Sequence, residues 1–495
     1  MKLFFFVLLL PLLAFPVMLY CIYCPSKQSK AKPKSGSGTS LSELLRNSHR
    51  ILDWTTELLA ASPIHTVTTF MGIVTADPSN VEHILKTRFD NYPKGLRSTT
   101  ILADFLGRGI FNSDGDHWRI QRKTASLEFN TKTIRTFILS NVRLAVAGRL
   151  LRRLSRATAA REVLDLQELL DRLAFDNVCK VAFDVDPASL IGDEDDEVRE
   201  FAHAFEDAIN LVVERYSHPF LFSWKLKRLL GIGSEGILKK NIAAVHRFAM
   251  RVVRSRKEAG AAALGDDLLS RFIAEADYSD EFLRDIVISF VLAGRDTTSA
   301  TLTWFFWLIS TRPAVQERIM GEIRRVRSGR PNPEEGGAFT LDELREMDYL
   351  QAALSETLRL YPPVPLQVRE CAADDEWPDG TRVAKGRTVM YSSYAMGRME
   401  AIWGADCGEF RPERWLHKDV EFRPMNPFRF PVFHAGPRMC LGKDMAYIQM
   451  KAVAASVMEK FEIEVVDKER ERQLDYIMIL RLKGGLPVRV RERNG

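Results

Sequence analysis

Residues 430–442 read FPVFHAGPRMCLG. A cysteine at 440 in this setting is an inert core residue, a disulfide partner, a nucleophile or a metal ligand. Gly436 and Pro437 favour a tight turn, and Gly442 lets the chain that follows approach something flat and bulky. That chain, LGKDMAYIQMKAVAASVMEKF, has the spacing of an amphipathic helix. Cys440 is thus placed near a helix N-terminus, where free amides stabilise a thiolate. A nucleophile also wants a base, and only His434 stands in this segment. A thiolate bound to iron needs no base; it wants backbone donors to the sulfur and an arginine to meet an acidic cofactor edge. On the segment alone, a lone buried cysteine remains the simplest reading.

The whole chain narrows the choice. It has 495 residues, enough for a large core, with 70 basic and 65 acidic residues and a net charge of +5. So mild an excess does not argue for a nucleic-acid partner. The six cysteines (Cys21, Cys24, Cys179, Cys371, Cys407 and Cys440) are scattered, as in a reducing compartment. Cys21 and Cys24 form a CxxC with no second pair nearby, which argues against zinc.

Residues 3–24, LFFFVLLLPLLAFPVMLYCIYC, carry no charge. As a helix they would rise about 33 Å, against a hydrocarbon core of about 30 Å. Lysines at 27, 30, 32 and 34 follow, which places the remainder on the cytosolic side. The expected organisation is a membrane anchor over 1–24, a basic flexible linker over 25–50 and a catalytic domain over 51–495. Beyond the linker, helical periodicity dominates, and residues 280–326 contain a long apolar stretch expected to be a buried central helix. RVAKGRTVMYSSY (382–394) and LRLKGGLPVRV (480–490) read as short strands with turns.

Three further segments join the cysteine loop. SETLR (355–359) places Glu356 and Arg359 on one helical face, and FRPERW (410–415) supplies Arg414. AGRDTT (293–298) puts glycine, acid and hydroxyls inside the apolar helix, where each needs a partner. WRIQR spaces Trp118 and Arg122 four apart. Together these segments resemble the cytochromes P450. Phe433, Gly436, Arg438, Cys440 and Gly442 match that family's haem-binding loop, and the resemblance makes Cys440 the metal ligand of haem b. It makes Glu356, Arg359 and Arg414 a buried structural triad, with Trp415 as an aromatic exchange that leaves the triad untouched. It makes Trp118 and Arg122 a propionate-binding pair. In the oxygen-activation motif, Gly294 would make room over the cofactor, with Asp296 and Thr297 as catalytic residues guiding protons.

FDNYPKG (89–95) and residues 105–129 and 433–451 further resemble plant microsomal P450s of the fatty-acid omega-hydroxylase clan. The resemblance implies a mainly α fold with a small β region and an N-terminal transmembrane helix. It implies hydroxylation of a fatty acid at or near the omega carbon, with dioxygen and electrons from NADPH. The electrons would pass through NADPH–cytochrome P450 reductase, with cytochrome b5 as a further donor. The alternative substrate is the jasmonoyl-isoleucine conjugate, and a haem-binding protein without turnover is a distant third. It implies a single-pass endoplasmic-reticulum location with the catalytic domain in the cytosol. The substrate pocket carries over to Phe105, Leu106 and Phe111, to Phe290, Val291 and Ala293, to Val364, Pro365 and Leu366, and to Ile477 and Met478. Two departures stand out: no proline-rich hinge precedes the domain, and residues 63–80 look short for the first hairpin.

Overall fold

A computed structural model describes residues 39–129, 132–192, 194–217, 221–258, 267–330, 337–467 and 473–493. The membrane-spanning helix expected over residues 3–24 lies outside the described residues. Among those described, no helix is long and apolar enough to cross a membrane. The described residues therefore lend no membrane-spanning helix to the expected single-pass location in the endoplasmic reticulum. The fold is mainly α with a minor β region. The long apolar stretch from 280 to 310 owes its composition to burial in the protein core. Part of the expected linker is also ordered: Leu41–Arg46 is a helix closed by a reciprocal Ser40–Glu43 capping box.

The first hairpin fits its short segment because both strands are only four residues long. β1 (Thr66–Thr69) and β2 (Gly72–Thr75) are joined by a two-residue turn at Phe70 and Met71. β3 (Leu366–Glu370) and β4 (Thr388–Ser392) complete one sheet in the order β1-β2-β4-β3, with β2 and β4 parallel. A separate hairpin pairs β5 (Leu474–Tyr476) with β6 (Leu480–Leu482).

The helices that frame the interior are α1 (Leu96–Leu106), α2 (Gly115–Phe129), α3 (Leu166–Phe183) and α4 (Asp196–Ser217). α3 starts where Asp165 accepts from the Gln167 and Glu168 amides, and it is buried on nearly every face. The expected central helix is two helices: α5 (Asp280–Gly294), capped by Ser279, and α6 (Asp296–Ser310), with a bend at Arg295 between them. Both halves pack on α3. α7 (Asp348–Leu360) ends before Pro362 and Pro363, and α8 (Lys443–Lys460) follows the cysteine loop. One apolar cluster joins α6, α7 and α8; a second joins α3, α4 and α5. Each fully buried Leu or Phe in them stabilises the fold by about 1.5–3 kcal/mol. The cysteine loop meets the interior between the two clusters, with Phe433 packed on the first and Leu441 on the second.

Candidate active site

The loop around Cys440 is built from two single-turn helices, Pro431–Phe433 and Gly436–Arg438. The Cys440 amide closes it by donating to the Phe433 carbonyl at 2.8 Å. Gly436 adopts φ +63°, and a Cβ there would lie 2.1 Å from the Leu85 carbonyl oxygen, so only glycine fits. At Gly442 a Cβ would meet only Cys440 Sγ, at 3.9 Å.

Cys440 is unpaired and keeps accessible surface, although the protein surrounds it, so its thiol faces an interior space. Burial pushes the thiol pKa up, against the opposing pull of the Gly442 amide, Arg122 and Lys443. The helix end therefore does not yield a free thiolate by itself, as the sequence suggested. Binding to a metal ion supplies the missing drive, since a coordinating thiol is deprotonated. A nucleophilic role has no support. His434 is held far below its ordinary pKa by burial and by Arg369, Lys94, Arg438 and Arg122, and its ring meets the Tyr391 hydroxyl at 3.4 Å.

Those four cations form the second part of the site. Arg438 donates to Asp114 Oδ1 at 2.6 Å and to the Ser113 carbonyl at 3.0 Å, and lies 4.4 Å over the Trp118 ring. Its Nε is buried without a partner, as is Nη2 of Arg369. Burial, followed by Arg369, brings the Arg438 guanidinium down to about 10; burial, then Arg369 and Arg438, lowers Lys94 well below its usual value. Asp114 is the acid that faces this group. A buried excess of positive charge with unsatisfied N–H groups is costly unless an anion meets it. The two carboxylates of a haem would meet that need, and the Cys440 thiol would supply a sulfur to its iron, so the residues present fit the group. Arg438, Trp118 and Arg122 were expected here; Arg369, Lys94 and Asp114 were not. Their one signal was LQVRE (366–370), where Gln367 and Arg369 occupy the buried positions of a period-two strand.

The central helices supply the opposite wall. On an otherwise buried surface, Phe290, Ala293, Gly294 and Thr297 keep accessible area, one helical face at i, i+3, i+4 and i+7. Thr297 Oγ1 donates to the Ala293 carbonyl at 2.7 Å. The expectation for Gly294 needs correction: a Cβ there would point at Val178 of α3, 2.6 Å from Cγ2. Its missing side chain lets α3 approach and is not what opens space over a cofactor. Asp296 is buried away from that face, with Arg295 Nε 3.6 Å from Oδ1, and Oδ1 has no hydrogen-bond partner. Burial raises its pKa, opposed by Arg295 and Arg481. No hydrogen bond joins it to Thr297 among the described residues.

Of the carried-over pocket residues, Phe105, Leu106 and Val291 are wholly buried in the core, and Pro365 is buried too. Phe111, Phe290, Ala293, Val364, Leu366, Ile477 and Met478 keep accessible surface.

Below the site, Glu356 receives Arg359 Nη2 at 2.7 Å and Nε at 2.8 Å, Arg414 Nε at 3.2 Å and the Arg411 amide at 2.8 Å. Arg359 also donates to the carbonyls of Cys407 and Glu409 at 2.6 and 2.8 Å. The network ties α7 to the segment leading into the cysteine loop.

A family model described as Cytochrome P450 matches residues 63–486. The chain belongs to the cytochrome P450 family. Among its relatives, Cytochrome P450 CYP94D108 of Paris polyphylla is 67% identical over 472 residues, covering 95% of this chain and 94% of the relative. Cytochrome P450 94C1 of Arabidopsis thaliana is 46% identical over 448 residues (89% of each), and Cytochrome P450 94A1 of Vicia sativa is 42% identical over 480 residues (94% of this chain, 90% of the relative). This P450 is thus a haem-thiolate monooxygenase of the plant group to which the fatty-acid omega-hydroxylase clan belongs.

Proposed function

We propose that this P450 hydroxylates a fatty acid at or near its methyl end, with Cys440 as the haem ligand. The observation that carries the substrate reading is the accessible stripe of Phe290, Ala293 and Thr297: apolar surface with a single hydroxyl, in an interior shared with a thiol. Such a wall suits an alkyl chain. The terminal methyl has the less reactive C–H bonds, so its selection depends on how the walls place it.

Haem, when bound, supplies the one-electron and dioxygen chemistry. The chain supplies the surroundings. Cys440 Sγ would hold the iron, and the Gly442 amide, which donates to that sulfur, would temper its charge. Arg438, Arg369, Arg122 and Lys94 hold the two carboxylates. Phe290, Ala293, Val364 and Met478 exclude water and orient the chain. Thr297 Oγ1 presents a proton at the interior surface, and the Asp296 carboxyl, whose pKa burial raises, lies within the protein behind it. Electrons come from NADPH through a separate flavoprotein reductase.

The test is a spectral titration of the haem protein with fatty acids from dodecanoic to octadecanoic acid and with jasmonoyl-isoleucine. Product analysis with reductase and NADPH follows. Binding of the fatty acids, with hydroxyl found at or next to the methyl end, is the expected result. Turnover of jasmonoyl-isoleucine and of no fatty acid would reverse the substrate assignment.

A further inference from the structure

The outer edge of β6 is held by side chains. Leu480 and Leu482 turn their amides and carbonyls away from β5, and each of these four groups has a partner. The Leu480 amide donates to the Pro363 carbonyl at 2.8 Å, and the Leu480 carbonyl accepts from Trp304 Nε1 at 3.2 Å. The Leu482 carbonyl accepts from Gln167 Nε2 and its amide donates to Gln167 Oε1, both at 3.1 Å. The buried Gln167 side chain thus stands where a third strand would pair. Between the two leucines, Arg481 lies opposite Asp475 in the hairpin and sends Nη2 to Asp171 Oδ2. Asp171 follows Gln167 by four on α3, so both project from one helical face. Glu206 of α4, half exposed, stands 3.8 Å from Arg481 Nη1.

A two-stranded hairpin is marginal by itself, so these bonds decide where its tip stands. The tip is Ile477, Met478 and Ile479, between the paired Tyr476 and Leu480. Ile477 and Met478 keep accessible surface, and Met478 packs on the same apolar cluster as Phe290 and Leu441, the residue after Cys440. The other partners of the edge adjoin that interior as well. Pro363 directly precedes Val364, and Trp304 stands two turns beyond Thr297 on α6. Gln167 and Asp171 therefore set the tip against the elements that carry the accessible wall.

We infer that Gln167 and Asp171, through Leu482 and Arg481, are positioning residues that fix the Ile477–Met478 tip and thereby select the carbon that is oxidised. The inference rests on the proposed function and adds residues that set its outcome without touching substrate. The terminal carbon and its neighbour are one C–C bond apart, so a small displacement of a wall exchanges them. Rate effects reach about 10²-fold for a misplacement of about 1 Å. The neighbouring carbon has the more reactive C–H bonds, so a loosened tip favours it. The Asp171–Arg481 pair suits this task, being charge-assisted, directional and mostly buried on both sides.

The experiment resolves the products of dodecanoic acid by position, with reductase and NADPH, for wild type, Q167A, D171A, D171N, R481A and R481K. In parallel, backbone hydrogen exchange read by mass spectrometry follows the hairpin. In Q167A, D171A and R481A the ratio of terminal to adjacent hydroxylation should fall about tenfold, and the hairpin should exchange faster while α8 does not. D171N and R481K keep part of the bond and should stay nearer to wild type. D176A is the control. Asp176, buried on the same helix, accepts from the amides of Ser189 and Leu190 at 3.0 and 3.1 Å. Its loss should loosen that segment and keep the product ratio within about twofold. Haem content and the reduced carbon-monoxide spectrum verify folding; should D171A take up no haem, Q167A and D171N decide. An unchanged ratio in a variant whose hairpin exchanges faster, unchanged exchange throughout, or an equal fall in D176A overturns the inference. If wild type oxidises jasmonoyl-isoleucine and no fatty acid, the fatty-acid reading fails by itself. The positions of hydroxyl on that conjugate then decide the inference in the same variants.

Discussion

The indole Nε1 of Trp415 donates to Glu356 Oε2 at 2.9 Å, so the aromatic residue after Arg414 is a third side-chain partner of the buried carboxylate. Both are almost wholly inaccessible. A hydrogen bond to a charged group contributes about 1.5–3 kcal/mol. W415F, which keeps the packing and loses the N–H, should lower unfolding stability by about that amount. E356A strands the fully buried Arg359 and should cost about 3–5 kcal/mol and most of the bound haem. Thermal unfolding and haem content of the two variants check the ranking; W415F with wild-type stability would remove the indole from the network.

The contact between Gly294 and Val178 gives a second prediction. G294A drives its methyl into Val178, an overpacking worth about 1–3 kcal/mol. V178A in the same chain makes room and should restore much of the loss. A double variant no more stable than G294A would show that the glycine is needed on a different side.

Asp296 sets stability against function. Burial raises its folded pKa above its unfolded value, so the folded state binds the extra proton between the two. Stability from this group is present at low pH and is lost as pH rises from about 4 through the folded pKa. D296N carries no such charge. Its melting midpoint should match wild type near pH 4 and exceed it increasingly toward neutral pH, while product per NADPH falls. Midpoints that stay equal across this range would show that Arg295 and Arg481 fully offset burial.

Thr297 presents a hydroxyl to the interior, and T297A should keep haem and substrate binding. More peroxide and less product per NADPH are expected, within the range of about 10²- to 10⁴-fold for positioned proton transfer. T297S should restore coupling, because it keeps the oxygen. Equal coupling in wild type and T297A would exclude the hydroxyl from proton delivery.

What could be read from the chain follows how local each signal is. The cysteine loop, the Glu356–Arg359 pair and the AGRDTT segment lie in short windows, so their types and spacing were visible. Arg369 and Lys94 join Arg438 only when β3 and the segment before α1 meet, and no local pattern ties them together. Trp415 looked like an inert exchange because an indole N–H finds its partner only in three dimensions. The bend at Arg295 was also hidden, since no proline marks it and Gly294 has a packing reason of its own. The first hairpin looked too short until its two-residue turn was seen.

Gly436 presses its backbone against the Leu85 carbonyl, two points separated by most of the chain. The last-made part of the haem loop thus takes its shape from a segment made near the beginning. Nothing in residues 430–442 can close on that wall until almost the whole polypeptide has left the ribosome. Contacts so distant in sequence are slow to form. Cofactor capture therefore belongs to the end of folding, and a chain cut short anywhere before Phe430 would emerge without the loop to take haem at all.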